Sequence, residues 1–378
     1  MVIKLKRKVA IYWWLTSHAC VDLDSAIGRG AKGARCRLSD LKNGYPLHSN
    51  QKISSEHKLQ TFVTGCAGFI GSNLVDRLLN DGHKVTGYDN FSTGQRQFLS
   101  EALKSSDFKL VEGDLLDANR LTEAMRESEF VFHLAANADV RHGTEHPSRD
   151  LEQNTIATFN LLEAMRHNKV HRIAFSSTGS IYGEPEVFPT PEDCPFPVQT
   201  SLYGASKLAC EGLIGAYCTG YGFQGLIFRF VSILGERYTH GHVFDFYKKI
   251  TANPHEIEVL GNGKQRKSYL YIQDCIDAIL AAIDNSQGQS GLSVFNLGTD
   301  EYCTVDQSLD WICGELGLKP KRRYTGGERG WIGDSPFIFL NCARIRSLGW
   351  QPKLTIGESV KRTLHYLIES KWLFEPVK

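Results

Sequence analysis

The chain has 378 residues, of which 42% are hydrophobic and 35 are glycine, which fits a globular protein with two cores, or one large α/β unit and a smaller lobe, and excludes a disordered or fibrous chain. Lys plus Arg number 43 against 42 Asp plus Glu, so no net charge draws the protein to nucleic acid or anionic lipid. Ten cysteines run from Cys20 to Cys342 without a Cys-x-x-Cys pair, a scatter that matches neither a zinc site nor a disulfide framework and predicts reduced thiols in a cytoplasmic protein.

Residues 1–57 come first. Met1–Lys8 is basic and Val9–Leu15 apolar, a faint likeness to a signal peptide, but the apolar run is far too short to span a bilayer. Residues 24–57 mix Gly, Ser, Lys and Arg without period. The segment is read as a poorly ordered N-terminal extension, or as sequence upstream of the true start. No other stretch approaches a membrane segment.

From Leu59 onward, strand and helix signals alternate. Strands are predicted at Leu59–Thr64, His83–Tyr88, Phe108–Glu112, Phe130–Leu134, Arg172–Ser177 and Phe223–Phe230. Helices are predicted at Phe69–Leu79, Leu121–Glu127, Asp150–His167 and Tyr203–Tyr221. This alternation implies βαβ units and a Rossmann-like, doubly wound parallel sheet. In such a sheet ligands lie beyond the carboxyl ends of the strands.

The chemistry-bearing residues end those strands. Gly65-Cys66-Ala67-Gly68-Phe69-Ile70-Gly71 joins the first strand to its helix, where glycines let backbone N–H groups approach a pyrophosphate. Asp89 ends the second strand, where a carboxylate accepts from a ribose 2′-hydroxyl and repels a 2′-phosphate, favouring NAD over NADP. Asp114 follows the third strand and is placed to meet the adenine amino group. Taken singly, either aspartate also fits a turn residue. In register with the glycine turn, both favour the cofactor. Further on, Tyr203 and Lys207 stand four apart on a helix and share one face. The ammonium can stabilise a phenolate. Tyr203 alone would also fit a core aromatic, and His240-Gly241-His242, lacking partners at metal spacing, reads as loop with no metal expected.

Eight segments carry a resemblance. Thr64–Gly71, Asp89-Asn90-Phe91-Ser92-Thr93-Gly94, Gly113-Asp114-Leu115, His133-Leu134-Ala135-Ala136, Ser176–Gly183, Tyr203 with Lys207, Tyr271-Ile272-Gln273-Asp274 and Leu348-Gly349-Trp350-Gln351-Pro352 resemble landmarks of one group. That group is the extended short-chain dehydrogenase/reductase superfamily, in its nucleotide-sugar epimerase/dehydratase branch. The likeness covers roughly Leu59 to Leu367 and is nearest the UDP-glucose 4-epimerase type. It implies an isomerase with NAD tightly held by Gly65, Gly68, Phe69, Ile70, Gly71, Asp89, Asn90, Ser92, Thr93, Gly94, Asp114, Leu115, Leu134, Ala135, Ala136, Asn154, Ser176, Tyr203, Lys207 and Phe230. Catalysis would fall to Tyr203 as base, Thr178 as proton relay and Lys207 as NAD-ribose contact. A nucleotide sugar, UDP-linked in the nearest type, would meet Val140, Arg141, Thr178, Ser180, Tyr203, Ser232, Leu260, Arg266, Lys267, Arg329 and Asp334. The resemblance also implies a homodimer. It divides the chain into an NAD-binding domain at 58–232, to which 269–299 returns, and a substrate lobe at 233–268 and 300–378.

Departures from the pattern bear on the substrate. Thr178-Gly179-Ser180 lacks the acid and base of 4,6-dehydratases and the glutamate of UDP-glucuronate decarboxylases. Ser232 stands where galactose epimerases have Asn. Lys267 stands where they have a diphosphate-binding Arg, with Arg266 beside it. Arg141 lies near the sugar end in related enzymes and with Thr178, Ser180 and Ser232 suits a carboxylate, so a UDP-glucuronate 4-epimerase, or another nucleotide-sugar epimerase/dehydratase, is the alternative. A C4 oxidoreductase that releases its product, or an NAD-binding regulator without turnover, are the readings from other classes.

Overall fold

Seven strands form the central sheet of the computed structural model: β1 (Gln60–Thr64), β2 (Lys84–Asp89), β3 (Phe108–Glu112), β4 (Phe130–His133), β5 (Arg172–Thr178), β6 (Gln224–Phe230) and β11 (Gly291–Leu297). Their order is β11-β6-β5-β4-β1-β2-β3, and every pairing is parallel. The structure describes residues 58–138, 145–196, 198–330 and 337–375. The extension 1–57 and the candidate site residues Val140, Arg141 and Asp334 lie outside the described residues. The described ones fall in a single unit, Ser55–Lys378. This is the doubly wound fold that the alternating pattern predicts. The chain runs from β1 outward to β3, then returns to β4 on the other flank of β1. Thr64 and His133 face each other there in register, so the crevice opens beyond their carboxyl ends.

Sequence explains the flanking helices. α1 (Phe69–Asn80) buries Leu74, Val75 and Leu78 and leaves Asp76 and Arg77 partly exposed. Each such apolar side chain contributes about 1.5–3 kcal/mol relative to exposure. α5 (Leu202–Tyr221) starts at Ser201, whose hydroxyl accepts from Gly204 N at 3.0 Å, and stops at Gly222 with φ 69°. Among the described residues, no helix is long and apolar enough to cross a membrane.

Most predicted bounds shift by one residue, and three elements depart further from the sequence pattern. The helix expected at Leu121–Glu127 is α2, Ala118–Ala124; Asp117 caps it by accepting from Arg120 N, and Glu127 lies beyond it with φ 71°. The helix expected at Asp150–His167 starts earlier, because Pro147 suits a first turn. It divides into α3 (Pro147–Asp150), a π-helical turn Leu151–Ile156 and α4 (Ala157–Asn168). His242, expected in a loop, begins α6 (His242–Ala252) after Gly241 turns the chain at φ 105°.

A second apolar core collects Leu234, Val243, Phe246, Ile250, Ile257, Leu309, Ile312, Val360 and Leu364. Short strands border it: β7 (Ser232–Leu234) pairs with β10 (Tyr269–Tyr271), β8 (Glu256–Val259) with β13 (Lys321–Tyr324), and β9 (Arg266–Lys267) with β12 (Cys303–Thr304). α7 (Ile272–Asn285) leads back toward β11. Two helices of this region, α8 (Val305–Leu316) and α10 (Ile356–Glu369), carry capping boxes at Thr304/Gln307 and Thr355/Glu358, which satisfy their first N–H groups. The short helix α9 (Ala343–Arg346) lies between them.

Candidate active site

The glycine turn is built by exclusion of side chains. Gly65 takes φ 67°, and a Cβ there would lie 2.7 Å from Ala135 N. At Gly71 a Cβ would lie 2.0 Å from the Gly65 carbonyl oxygen. Neither position has room for alanine, so α1 starts tight against the end of β1. Gly68 caps α1 without any side-chain hydrogen bond, leaving the N–H groups of Phe69 and Ile70 and the positive helix end open to an anion. This fits a dinucleotide pyrophosphate.

Asp89 anchors both sides of that cradle. It is buried, and its two oxygens accept from Ala67 N at 2.9 Å and Phe91 N at 2.8 Å. Burial pushes its pKa up while the two N–H groups pull it down. Gly94 passes so close that a Cβ would meet Asp89 Oδ1 at 2.9 Å. Asn90 donates to Asp114 Oδ2 at 2.8 Å and accepts from Ser92 N at 3.0 Å, and Asp114 Oδ1 accepts from Leu116 N at 2.9 Å. Asp114 thus ties the β2 and β3 ends together. Leu115 is buried in the core, and Ser92 and Thr93 are exposed at the rim.

On the other flank, Thr64 Oγ1 accepts from Leu134 N and Ala135 N at 3.1 and 3.2 Å, fixing the strand end that leads to Ala136. The π-turn brings Asn154 inward. Its amide accepts from Asn137 N at 2.8 Å and donates to Ser206 Oγ at 2.9 Å.

Tyr203, Thr178 and Lys207 converge. Burial pushes the Tyr203 phenol up, and the neighbouring Thr178 hydroxyl pulls it back down. Lys207 is 2% exposed, donates to the Ser176 carbonyl at 2.8 Å and lies 4.5 Å over the Phe175 ring. Burial brings its pKa down to about 8, with Cys210 and Glu211 pulling upward. Ser180 N donates to Thr178 Oγ1 at 3.1 Å, and the Thr178 hydroxyl donates to Ser180 Oγ at 3.2 Å. Phe230 is buried at the neighbouring strand end.

The expected substrate side is looser. Ser232 is exposed and Leu260 half-buried. Arg266 and Lys267 form the two-residue β9. Arg266 stacks over Phe337 at 4.0 Å and Tyr302 at 5.5 Å. Lys267 is half-buried; burial first, and then the Lys267 charge, hold His242 neutral. Arg329 pairs with Glu184 at 2.5 Å, beside the turn that carries Ser180.

Three buried groups near this site lie outside the predicted set. His133 lies 2.8 Å from Thr64 Oγ1 and 2.9 Å from Thr158 Oγ1. Burial first, then Lys207, drives it down to about 3, so it is neutral. Glu211 and Arg229 form an ion pair at 2.7 Å. The spacing of Glu211 from Lys207, one helical turn, was the only available hint.

The sequence profile of the NAD dependent epimerase/dehydratase family matches residues 61–298. The chain belongs to this family, and NAD is its cofactor. A UDP-glucose 4-epimerase from Mycolicibacterium smegmatis is 32% identical over 315 residues, covering 82% of this chain and 98% of that protein. UDP-glucuronate 4-epimerase 4 from Arabidopsis thaliana is 29% identical over 345 residues, covering 85% of this chain and 78% of the other. A crystal structure of UDP-galactose 4-epimerase superposes with a TM-score of 0.75 at 35% identity, covering 83% of this chain and all of that one.

Proposed function

We propose that the chain interconverts UDP-glucose and UDP-galactose by inverting carbon 4 through a transient 4-keto sugar. The observation that carries this is the placement of Thr178 at the end of β5 beside Tyr203, with Lys207 one helical turn further along α5. When bound, NAD would supply the reversible hydride chemistry at C4. Tyr203 as phenolate takes the proton from the 4-hydroxyl, and Thr178 holds the same oxygen and relays the proton. Lys207 binds the nicotinamide ribose and supplies the charge that stabilises the phenolate. On the return step Tyr203 gives its proton back to O4, so no external reductant or acid is consumed.

In this reading Asp89 takes the adenine ribose hydroxyls, and Asp114 lies toward the adenine. Arg266 and Lys267 meet the diphosphate, with Leu260 beside the base and Ser180 and Ser232 beside the sugar. The pair Ser180 and Ser232 also favours a second substrate, UDP-glucuronate, because small hydroxyls leave space and donors for a carboxylate. Residues 233–268 and 300–375 would form the substrate lobe. Exposed Leu151, Ile156 and Phe159 on adjoining helical turns favour pairing with a second copy.

Purified protein with bound NAD, given UDP-glucose and no added cofactor, should yield UDP-galactose. A panel of UDP-, dTDP-, CDP- and GDP-sugars, UDP-glucuronate included, fixes sugar and base. Net release of a keto sugar would replace the epimerase with an oxidoreductase, and bound NAD without turnover on any sugar would favour the regulator.

A further inference from the structure

Behind the reactive side chains lies a buried polar chain that the proposed chemistry does not use. Glu211 follows Lys207 by one turn of α5. Its Oε1 accepts from Ser177 Oγ at 2.5 Å and Arg229 Nε at 3.1 Å, and its Oε2 accepts from Arg229 Nη2 at 2.7 Å. Arg229 Nη1 donates to Tyr182 Oη at 2.6 Å and to the Glu192 carbonyl at 2.9 Å. Tyr182 Oη then donates to Asn296 Oδ1 at 2.8 Å. Ser177, Tyr182, Glu211, Arg229 and Asn296 are each at most 6% exposed.

The sequence positions of these groups matter. Ser177 directly precedes Thr178 on β5, and Arg229 directly precedes Phe230 on β6. Tyr182 closes the turn that holds Ser180. One carboxylate therefore clamps the helix of Tyr203 and Lys207 to the two strand ends and the turn beside them. An ion pair buried this deeply loses more in desolvation than a packed apolar pair of the same volume would, so stability alone gives little reason for it.

We propose that the Glu211–Arg229 pair is a positioning device for the catalytic set: it fixes Tyr203 and Lys207 on α5 against Thr178 on β5. This rests on the functional reading above for the roles of those three residues. The other titratable groups facing the set are Cys210 on α5, His133 on β4 and Asp150 on α3. Of these, His133 is neutral, and Cys210 is held protonated by burial. Glu211 is then the carboxylate that acts on Lys207 from its own helix.

The test is Glu211→Gln in the NAD-loaded full chain, read by kcat, KM, Tm, the pH–rate profile and a tyrosinate UV-difference titration with Tyr203→Phe as blank. Expected are a fall in kcat on the order of 10- to 100-fold with KM little changed, an alkaline limb moved to lower pH, and a Tyr203 ionisation moved to higher pH. The last two share one cause: when the clamp on α5 is lost, the Lys207 ammonium is no longer held where it stabilises the phenolate. Asp277→Asn removes a carboxylate shared by Arg77 and Lys353. It should lower Tm without moving either titration. A folded, NAD-loaded Glu211→Gln protein with wild-type kcat and both titrations unmoved overturns the proposal. If that variant does not fold, Ser177→Ala decides: a several-fold loss of kcat at constant KM supports the clamp, and wild-type kcat overturns it. The tyrosinate titration needs no substrate, so a wild-type protein inactive on every nucleotide sugar would break the functional reading and leave this inference standing or falling separately.

Discussion

The two flanks of the crevice are built on different principles. On the cofactor side, backbone geometry does the holding: glycines without room for Cβ, N–H groups at the start of α1, and Asp89 tied to Ala67 and Phe91. On the expected substrate side, the candidate contacts include exposed side chains on strands of two or three residues and on loops, such as Arg266, Ser232 and Arg329. A backbone cradle changes little when most side chains change. Exposed side chains on short strands can be replaced one at a time, as Ser232 and Lys267 illustrate by departing from the pattern of galactose epimerases. In the proposed reading, cofactor choice rests on the fold and substrate choice on the side chains that decorate it.

That contrast can be broken by substitution. Tyr203→Phe removes the proton carrier but keeps the ring, and turnover should fall by roughly 10²–10⁴-fold with NAD still bound. A folded, cofactor-loaded variant at near wild-type rate would make the Tyr/Lys pair structural.

Gly71→Ala comes next. Its Cβ would sit 2.0 Å from a backbone oxygen, a clash that no rotamer relieves and that costs about 3 kcal/mol. Calorimetry should show a lower Tm, and NAD titration a weaker affinity.

The pH dependence follows from Lys207, whose pKa falls to about 8. Its charged form is the working one, so kcat should fall as pH rises through about 8. His133, at about 3, stays neutral above that value and should add no acid limb near the usual histidine range. A pH–rate profile checks both signs.

Arg266→Ala should have the smallest effect. Loss of one exposed phosphate contact should raise KM for the nucleotide sugar by about tenfold at most, leave NAD affinity unchanged, and diminish in high salt. A change in NAD affinity would show that the two flanks are not separable.

Much of this was legible before any coordinates. Strand–helix alternation, the Gly65–Gly71 turn, the acidic ends of β2 and β3, and Tyr203 with Lys207 each leave a local mark, because the physics that requires them acts within a few residues. The division of the helix after Pro147 was not legible, since a π-turn is set by what packs against it. Nor was the helical start at His242, where Gly241 and the bond from His242 to Ser308 override a loop-like sequence.

By itself the sequence determined the parallel sheet and the glycine turn at the end of β1, because periodicity and glycine stereochemistry are properties of short segments. Only the tertiary structure decided which buried groups stand behind them. Glu211 meets Ser177 and Arg229, and His133 sits between Thr64 and Thr158, through contacts far apart along the chain. Such pairings arise when strands are brought side by side and water is removed, and a buried charge then needs the one partner that the fold delivers.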